Sequence, residues 1–374
     1  MTVPTSRLPA LPDDPERSLA EAEAEAIVIW RGERISLDAL PDRIARSDDR
    51  EDRDRMLGAY LEALEALSSR GEHRLANRPD PDVAASQLGI DPRALVADLE
   101  GFVLHTETPY YAALRRYLAL IDIEQGDATI ADIWHVARGG AWSHWFSDRD
   151  LGRVIEATGR IPVGVGGLEG WLAAERMLRG DGSTPGAAAV GAAYATLAGS
   201  PEWIEGELGM VRDEVVPYID FAAFTRLWQL RQMIGELQFQ IRISDISEPA
   251  LARAYYGGIL GHMTGVRVPE AMYLVALEDE PFAPARDLGA EILGADLVAI
   301  LETRHGSTWW RDPAARDLTD AVAAATSFDD ALAQLGYDAL DWRPVLRQIR
   351  TRLIGEMSGY GGPNITTRAG TRKV

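Results

Sequence analysis

The stretch VPYIDFAAFTRLWQLRQMIGELQFQI, residues 216–241, decides the fold that this sequence predicts. Its apolar residues recur at helical spacing, and Phe224, Leu227 and Trp228 make the apolar face unusually wide. A face of that width is typical of a helix buried at the centre of a bundle. Arg231 and Glu236 interrupt it, either as the lining of a cleft or as salt-bridged edges of the core.

The same periodicity extends over most of the chain. In residues 51–78 one helix face carries four apolar side chains, and Asp-Pro pairs predict helix starts at residues 80, 91 and 312. Strand character is confined to residues 27–37 and 160–167. We therefore predict an all-α fold, a single multihelical unit with little or no β structure. Further helices are expected at 91–104, 108–123, 128–139, 148–159, 168–178, 186–204, 248–265, 283–306, 312–325, 327–336 and 341–357.

Composition divides the chain into four parts. Residues 1–17 are Pro-rich and predict a flexible lead, and residues 358–374 are Gly-rich, polar and basic, which predicts a flexible tail. Between them we expect an N-terminal helical half over residues 18–160 and a C-terminal helical half over residues 161–357.

Charge excludes several classes of partner. The chain has 38 Lys and Arg against 58 Asp and Glu, a net charge of -20. The negative electrostatic potential of such a protein repels phosphate backbones and anionic lipid surfaces. Neither nucleic acid nor a membrane is therefore an expected partner. There is no cysteine and no apolar run long enough to span a bilayer. These features predict a cytoplasmic protein.

Candidate metal and cofactor motifs are weak. No two of the six histidines lie four residues apart, so the sequence contains no pair of histidines that could bind one metal ion from the same face of a helix. His135 and His144 stand among three tryptophans, as an aromatic pocket or as rings that cover a helix corner. The glycines of residues 164–170 fit a plain turn better than a phosphate loop, and the acidic run 278–280 fits a solvated loop better than a cation site. We expect no metal and no cofactor.

The segment GAAAVGAAYATLAGSPEWI, residues 186–204, predicts a helix made almost entirely of small side chains. It contains no Asp, Glu, His, Lys, Arg or Cys before Glu202. Close packing against a neighbouring helix is the physical default for such a surface, because Ala and Gly let two backbones approach.

Several segments, in this order, resemble the oligoendopeptidase-like zinc metallopeptidases, relatives of thimet oligopeptidase. LHTETPYYAALRRYL (104–118) is similar to a helix of that family with Thr-Glu followed by Tyr and Leu, and WFSDRDLGRVIEATG (145–159) to the helix before its catalytic region. SPEWIEGELG (200–209) and the helix at 221–241 resemble a later pair of segments. The resemblance ends in an Arg-x-Gly-x-x-Trp corner at Arg304, Gly306 and Trp309.

The resemblance implies chemistry that this chain does not encode. In that family two histidines of a His-Glu-x-x-His helix and a later glutamate hold zinc, and the intervening glutamate activates its water. Residues 160–183, where the motif is expected, contain no histidine. Ala192 stands at the position of the third ligand, and Asp287 and Gly289 replace a substrate-holding tyrosine and arginine.

Two functions follow as hypotheses. The first is a catalytically inactive, metallopeptidase-like protein that binds a peptide or protein partner, such as an active metallopeptidase relative that it regulates. Its predicted groove comprises Tyr194, Trp228, Arg231, Tyr255, Tyr256, His262 and Asp287. The second is a repurposed, metal-independent enzyme that uses His262 with Asp287 or Glu291 as an acid/base pair, because a histidine beside a carboxylate titrates near neutral pH.

Overall fold

Helices dominate the computed structural model, which describes residues 5–7, 26–67, 80–137, 184–208, 211–243, 245–246, 248–276 and 282–353. Within these residues thirteen α-helices accompany one small sheet. The predicted all-α fold is therefore confirmed. Residues 160–167, the second segment with strand character, lie outside the described part of the chain.

The small sheet precedes the helices. Strands β1 (Thr5–Arg7), β2 (Ile27–Trp30) and β3 (Glu33–Ser36) pair antiparallel in the order β1-β2-β3. Arg31 and Gly32 connect β2 to β3 with φ angles of 50° and 85°. Positive φ at both positions matches the twist of a two-residue hairpin, which confirms the strand character predicted for residues 27–37.

The N-terminal helices begin where the sequence indicates. The carboxylates of Asp80 and Asp91 accept hydrogen bonds from backbone N–H groups two residues later, as N-caps. Met56 and Tyr60 are buried on the predicted apolar face. The helices are α1 (Leu40–Ala45), α2 (Arg50–Ala66), α3 (Pro81–Leu88), α4 (Pro92–Ala119) and α5 (Ile130–Ala137).

Helix α4 is one long helix where the sequence predicts two. The predicted helices are at 91–104 and 108–123, but α4 continues through Pro109 for 28 residues. A proline leaves the carbonyl four residues earlier without its helical N–H partner. That residue is His105, which is exposed, so water can satisfy its carbonyl.

Residues 216–241 lie in the centre of the C-terminal half. Helix α8 (Arg212–Ile243) packs against α4 and against α9 (Pro249–Thr264), α10 (Ala283–His305) and α13 (Arg343–Arg350). Phe224 and Leu227 on α8 are completely buried. This confirms the predicted central helix. The C-terminal helices are α6 (Pro185–Ala195), α7 (Pro201–Leu208), α8 (Arg212–Ile243), α9 (Pro249–Thr264), α10 (Ala283–His305), α11 (Pro313–Ala323), α12 (Phe328–Leu335) and α13 (Arg343–Arg350).

The small residues of α6 serve close packing. An ideal Cβ built on Gly294 of α10 would lie 2.7 Å from the Ala189 carbonyl oxygen and 2.9 Å from the Ala192 Cβ. On another side of α6, a Cβ on Gly186 would lie 2.0 Å from the Val322 carbonyl oxygen. The predicted helix 186–204 is interrupted, because a 3-10 turn at Thr196–Gly199 separates α6 from α7.

Replacing Gly294 by Ala should lower the free energy of unfolding by about 3 kcal/mol, because the new methyl group meets backbone atoms that cannot rotate away. Gly258→Ala in α9 is the matched control, since no atom lies within 4 Å of its Cβ position. That substitution should stabilise the protein by about 0.5–1 kcal/mol through helix propensity. Denaturant unfolding measures both changes, and equal effects would contradict the packing argument.

Candidate functional site

The C-terminal end of α9 is held by side chains from two other helices. A helix leaves its last four carbonyl groups without intrahelical partners. Here the carbonyl oxygens of residues 261, 262, 263 and 264 accept hydrogen bonds from the Gly265 N–H (2.9 Å), the Tyr111 hydroxyl (2.9 Å), Arg231 Nε (2.7 Å) and the Tyr110 hydroxyl (2.6 Å), respectively. All four are satisfied, so this helix end is fixed to α4 and α8.

Arg231 is the centre of this arrangement. Its side chain is completely buried, and Nη1 donates to the Val103 carbonyl oxygen and the Thr106 hydroxyl, each at 3.3 Å. The guanidinium also lies 4.7 Å from the centroid of the Tyr110 ring. The negative end of the α9 dipole and the π face of Tyr110 both stabilise a cation. Burial lowers the pKa of Arg231, so these oxygen and ring contacts offset the cost of desolvating its charge.

Tyr110 is a permanent donor in the cluster. Burial raises the pKa of its hydroxyl far above the ordinary value, and the positive charge of Arg231 only partly opposes this effect. The ring also stacks on Phe224 at a centroid distance of 6.0 Å. The hydroxyl therefore keeps its proton and its hydrogen bond to the Thr264 carbonyl oxygen at any physiological pH.

A concave surface of about 870 Å³ lies beside this fixed helix end, and we call it the α9 groove. Its lining includes Gly257, Gly261 and Gly265, where larger side chains would occupy the space. Tyr111 lines another part, and residues 265–270 together with Gln125, Gly126 and Thr129 complete it. The volume is in the range of sites that bind small molecules or short peptide segments.

Two close contacts shape the α9 groove. Gly265 has a φ of +71°, and an ideal Cβ there would lie 2.6 Å from Cε1 of Tyr111. Only glycine adopts this backbone conformation at such a short approach without strain. On the far side, Arg267 forms a parallel bridge with Thr129: its N–H donates to the Ala128 carbonyl oxygen (2.9 Å), and its own carbonyl oxygen accepts from the Ile130 N–H (3.0 Å). The groove therefore has fixed walls.

Polar groups at the α9 groove carry no net charge. Arg267 and Glu270 are exposed and of opposite sign, and Gln125 and Thr129 are neutral donors and acceptors. The Arg267 guanidinium also donates to the Asp127 carbonyl oxygen at 3.3 Å. Such a lining suits a neutral ligand with amide groups better than a polyanion.

The structure places the seven predicted groove residues elsewhere. The side chains of Tyr194, Trp228, Arg231 and Tyr256 are buried in the core. Tyr255 is half-buried and stacks on Phe239. His262 is exposed on α9, and Asp287 is half-exposed with an Arg286 ion pair at 3.1 Å. None of the seven is among the residues that line the α9 groove.

The acid/base pair of the second hypothesis has other partners in the structure. Glu291 is buried on α10 and pairs with Arg226, whose Nε and Nη2 lie 3.1 and 3.0 Å from its carboxylate. Arg226 in turn donates to the Gln348 side-chain oxygen at 2.9 Å. The Glu291 carboxylate is therefore occupied by an arginine on α8.

Ala192, which the resemblance places at the third zinc-ligand position, is 2% exposed and packs against Gly294. Among the residues that the structure describes, no group of three His, Asp or Glu side chains is arranged to hold a metal ion. His135 is buried, with its ring Nδ1 2.8 Å from the Ala45 carbonyl oxygen, and burial lowers its pKa. His144, residues 160–183, the acidic run 278–280 and the tail lie outside the described residues.

Sequence reasoning missed Tyr110, Tyr111 and Arg267. One signal was present, because glycines at 257, 261 and 265 recur every four residues and end at a helix C-cap position. That spacing puts a strip of small residues on one face of α9. Residues 125–129, which lie across the groove, carry no comparable signal.

The described helices include none that is both long and apolar enough to cross a membrane. No model of a known protein family matches the chain, and no curated protein sequence matches it.

Replacing Arg231 by Met should lower the free energy of unfolding by about 3 kcal/mol, because buried carbonyl groups on α4 and α9 lose their donor. Tyr111→Phe removes a single hydrogen bond at a partly exposed site and should cost only about 1 kcal/mol. Urea unfolding of both variants measures the difference. A loss from Arg231→Met no greater than that from Tyr111→Phe would show that Arg231 is not the centre of the cluster.

Proposed function

We propose that this chain is a non-catalytic binding protein and that the α9 groove holds a peptide segment of its partner. The observation that carries the proposal is the groove itself, with about 870 Å³ of space between walls fixed by the capped end of α9 and the Arg267 bridge. A surface that keeps its shape without a ligand loses little conformational entropy on binding, which favours affinity.

The lining indicates the class of ligand. Glycine backbone on one side allows a chain to approach closely, as the glycines of other recognition sites do. Tyr111, Gln125 and Thr129 supply neutral hydrogen-bonding groups next to that surface. An extended peptide with small or apolar side chains fits this combination, either free or as an exposed segment of a larger protein.

Two features support the non-catalytic part of the proposal. The chain contains no pair of histidines four residues apart, and the resemblance to zinc peptidases therefore lacks its metal motif. At the predicted third-ligand position, Ala192 packs directly against α10 and leaves no room for a longer side chain beside Gly294.

The lack of cysteine fits a reducing compartment such as the cytoplasm.

A peptide-library selection on the full chain, followed by affinity measurements with the selected peptides, tests the proposal. Gly261→Phe should weaken binding at least about tenfold, roughly 1.4 kcal/mol, because its ring would occupy the groove. The first side-chain carbon fits at this position, since an ideal Cβ lies 3.5 Å from the nearest atom. Calorimetric titration measures the affinity.

Gly258→Phe is the matched control on the same helix, because its Cβ position faces open space outside the groove lining. Its affinity should equal that of the unmodified protein. Selection of no peptide, or equal losses in the two variants, would count against the groove. Cleavage of the bound peptide, detected by mass spectrometry, would count against a non-catalytic role.

A further inference from the structure

Asp296 is a buried carboxyl group in a helix interface. It lies on α10 with 3% of its surface exposed, and its neighbours in sequence are Ala295 and Leu297. The Asp341 N–H donates a hydrogen bond to the carboxyl group, but Oδ2 has no hydrogen-bond partner among the described residues. A buried carboxylate with an unsatisfied oxygen is costly, whereas the neutral acid is tolerated.

Asp341 belongs to the segment that leads into α13, and its negative charge acts on the Asp296 carboxyl group. Burial opposes its ionisation, but hydrogen bonds from Arg343 at 2.8 and 3.0 Å prevail and lower its pKa. Asp341 is therefore charged at neutral pH and repels a second negative charge nearby. Arg347, on α13, partly offsets this repulsion at Asp296.

The other elements packed on α10 supply little compensating charge. Helix α6 has no ionisable side chain except Tyr194. From α8, Arg226 is already paired with Glu291. The charged side chains of α11 and α12 are exposed to solvent. Burial first, and the Asp341 carboxylate second, together raise the pKa of Asp296 from 3.8 to about 7.

Helix α13 joins three other helices at this place. The ring of Trp342, at its N-cap, would lie 2.9 Å from a Cβ on Gly101 of α4, and it meets Phe102 edge to face. The Gln348 side chain accepts a hydrogen bond from Arg226 of α8 and donates one to the Ala295 carbonyl oxygen of α10. Loosening of α13 would thus uncover apolar surface on α4 and α10.

We propose that Asp296 is a proton-controlled latch for α13. The neutral carboxyl group holds the N-terminal turn of α13 against α10, and the ionised group, beside the Asp341 carboxylate, loosens it. The pKa of Asp296 is about 7 when α13 is docked and 3.8 when α13 is released, so the docked state binds the proton more tightly. The stability that this proton gives to the docked state is therefore fully present below pH 3.8. It falls as pH rises towards about 7 and is lost above that pH.

Hydrogen exchange read by mass spectrometry tests the latch in the full chain. After correction for the intrinsic exchange rate, opening of residues 341–353 should increase about tenfold between about pH 6 and about pH 8, given the pKa values of 3.8 and about 7. Segments of α8 should show no such change. An unchanged opening equilibrium in residues 341–353 would overturn the proposal.

Three variants identify the group that titrates. Asp296→Asn keeps the size of the side chain without its charge, so residues 341–353 should stay protected at both pH values. Asp341→Asn removes the neighbouring negative charge and therefore lowers the pKa of Asp296, so the transition should end at lower pH and opening of residues 341–353 should rise less between the two pH values.

Asp338→Asn is the matched control, since this exposed carboxylate lies in the loop that leads to α13 and outside the interface. Its pH response should equal that of the unmodified protein. A pH response in Asp296→Asn as large as in the unmodified protein would overturn the latch. The groove variants Gly261→Phe and Gly258→Phe should keep the full pH response, so failure of the latch and failure of the peptide site are distinguishable.

Discussion

The structure depends on how the C-terminal end of α9 is satisfied inside the protein. Buried carbonyl groups require hydrogen-bond donors, and a helix end that enters a core without them is strongly destabilised. Arg231, Tyr110 and Tyr111 supply those donors from α8 and α4. Because each donor bonds a different carbonyl group, they fix both the position and the rotation of α9, and with them the walls of the groove.

A second constraint acts on the opposite side of the central helix. There α6 and α10 meet through Ala192 and Gly294, with no space for a larger side chain. Packing at this distance gains dispersion contacts along both backbones, and it tolerates very little change in volume. The small residues of α6 therefore have a structural explanation that does not depend on the loss of a metal ligand.

The sequence predicts the helices well and the site poorly, for a physical reason. Asp80 and Asp91 reveal their helix starts through local chemistry, and the wide apolar face of α8 reveals its burial. Periodicity shows which face a residue occupies but not which partner it meets. Arg231 contacts Val103, 128 positions away, so its role as a buried donor cannot be read from its own surroundings.

Helix α4 connects the groove to the latch, and its packing argues that the two act independently. Tyr110 and Tyr111 face α9, while Gly101 and Phe102, more than two turns earlier, meet Trp342. Between and beyond them, further α4 side chains such as Thr106 and Leu114 are buried in the core. A ligand or a proton shifts a distant site only through an element with two alternative arrangements. Since α4 is fixed by Arg231, loosening α13 uncovers surface on α4 without moving the tyrosines that shape the groove.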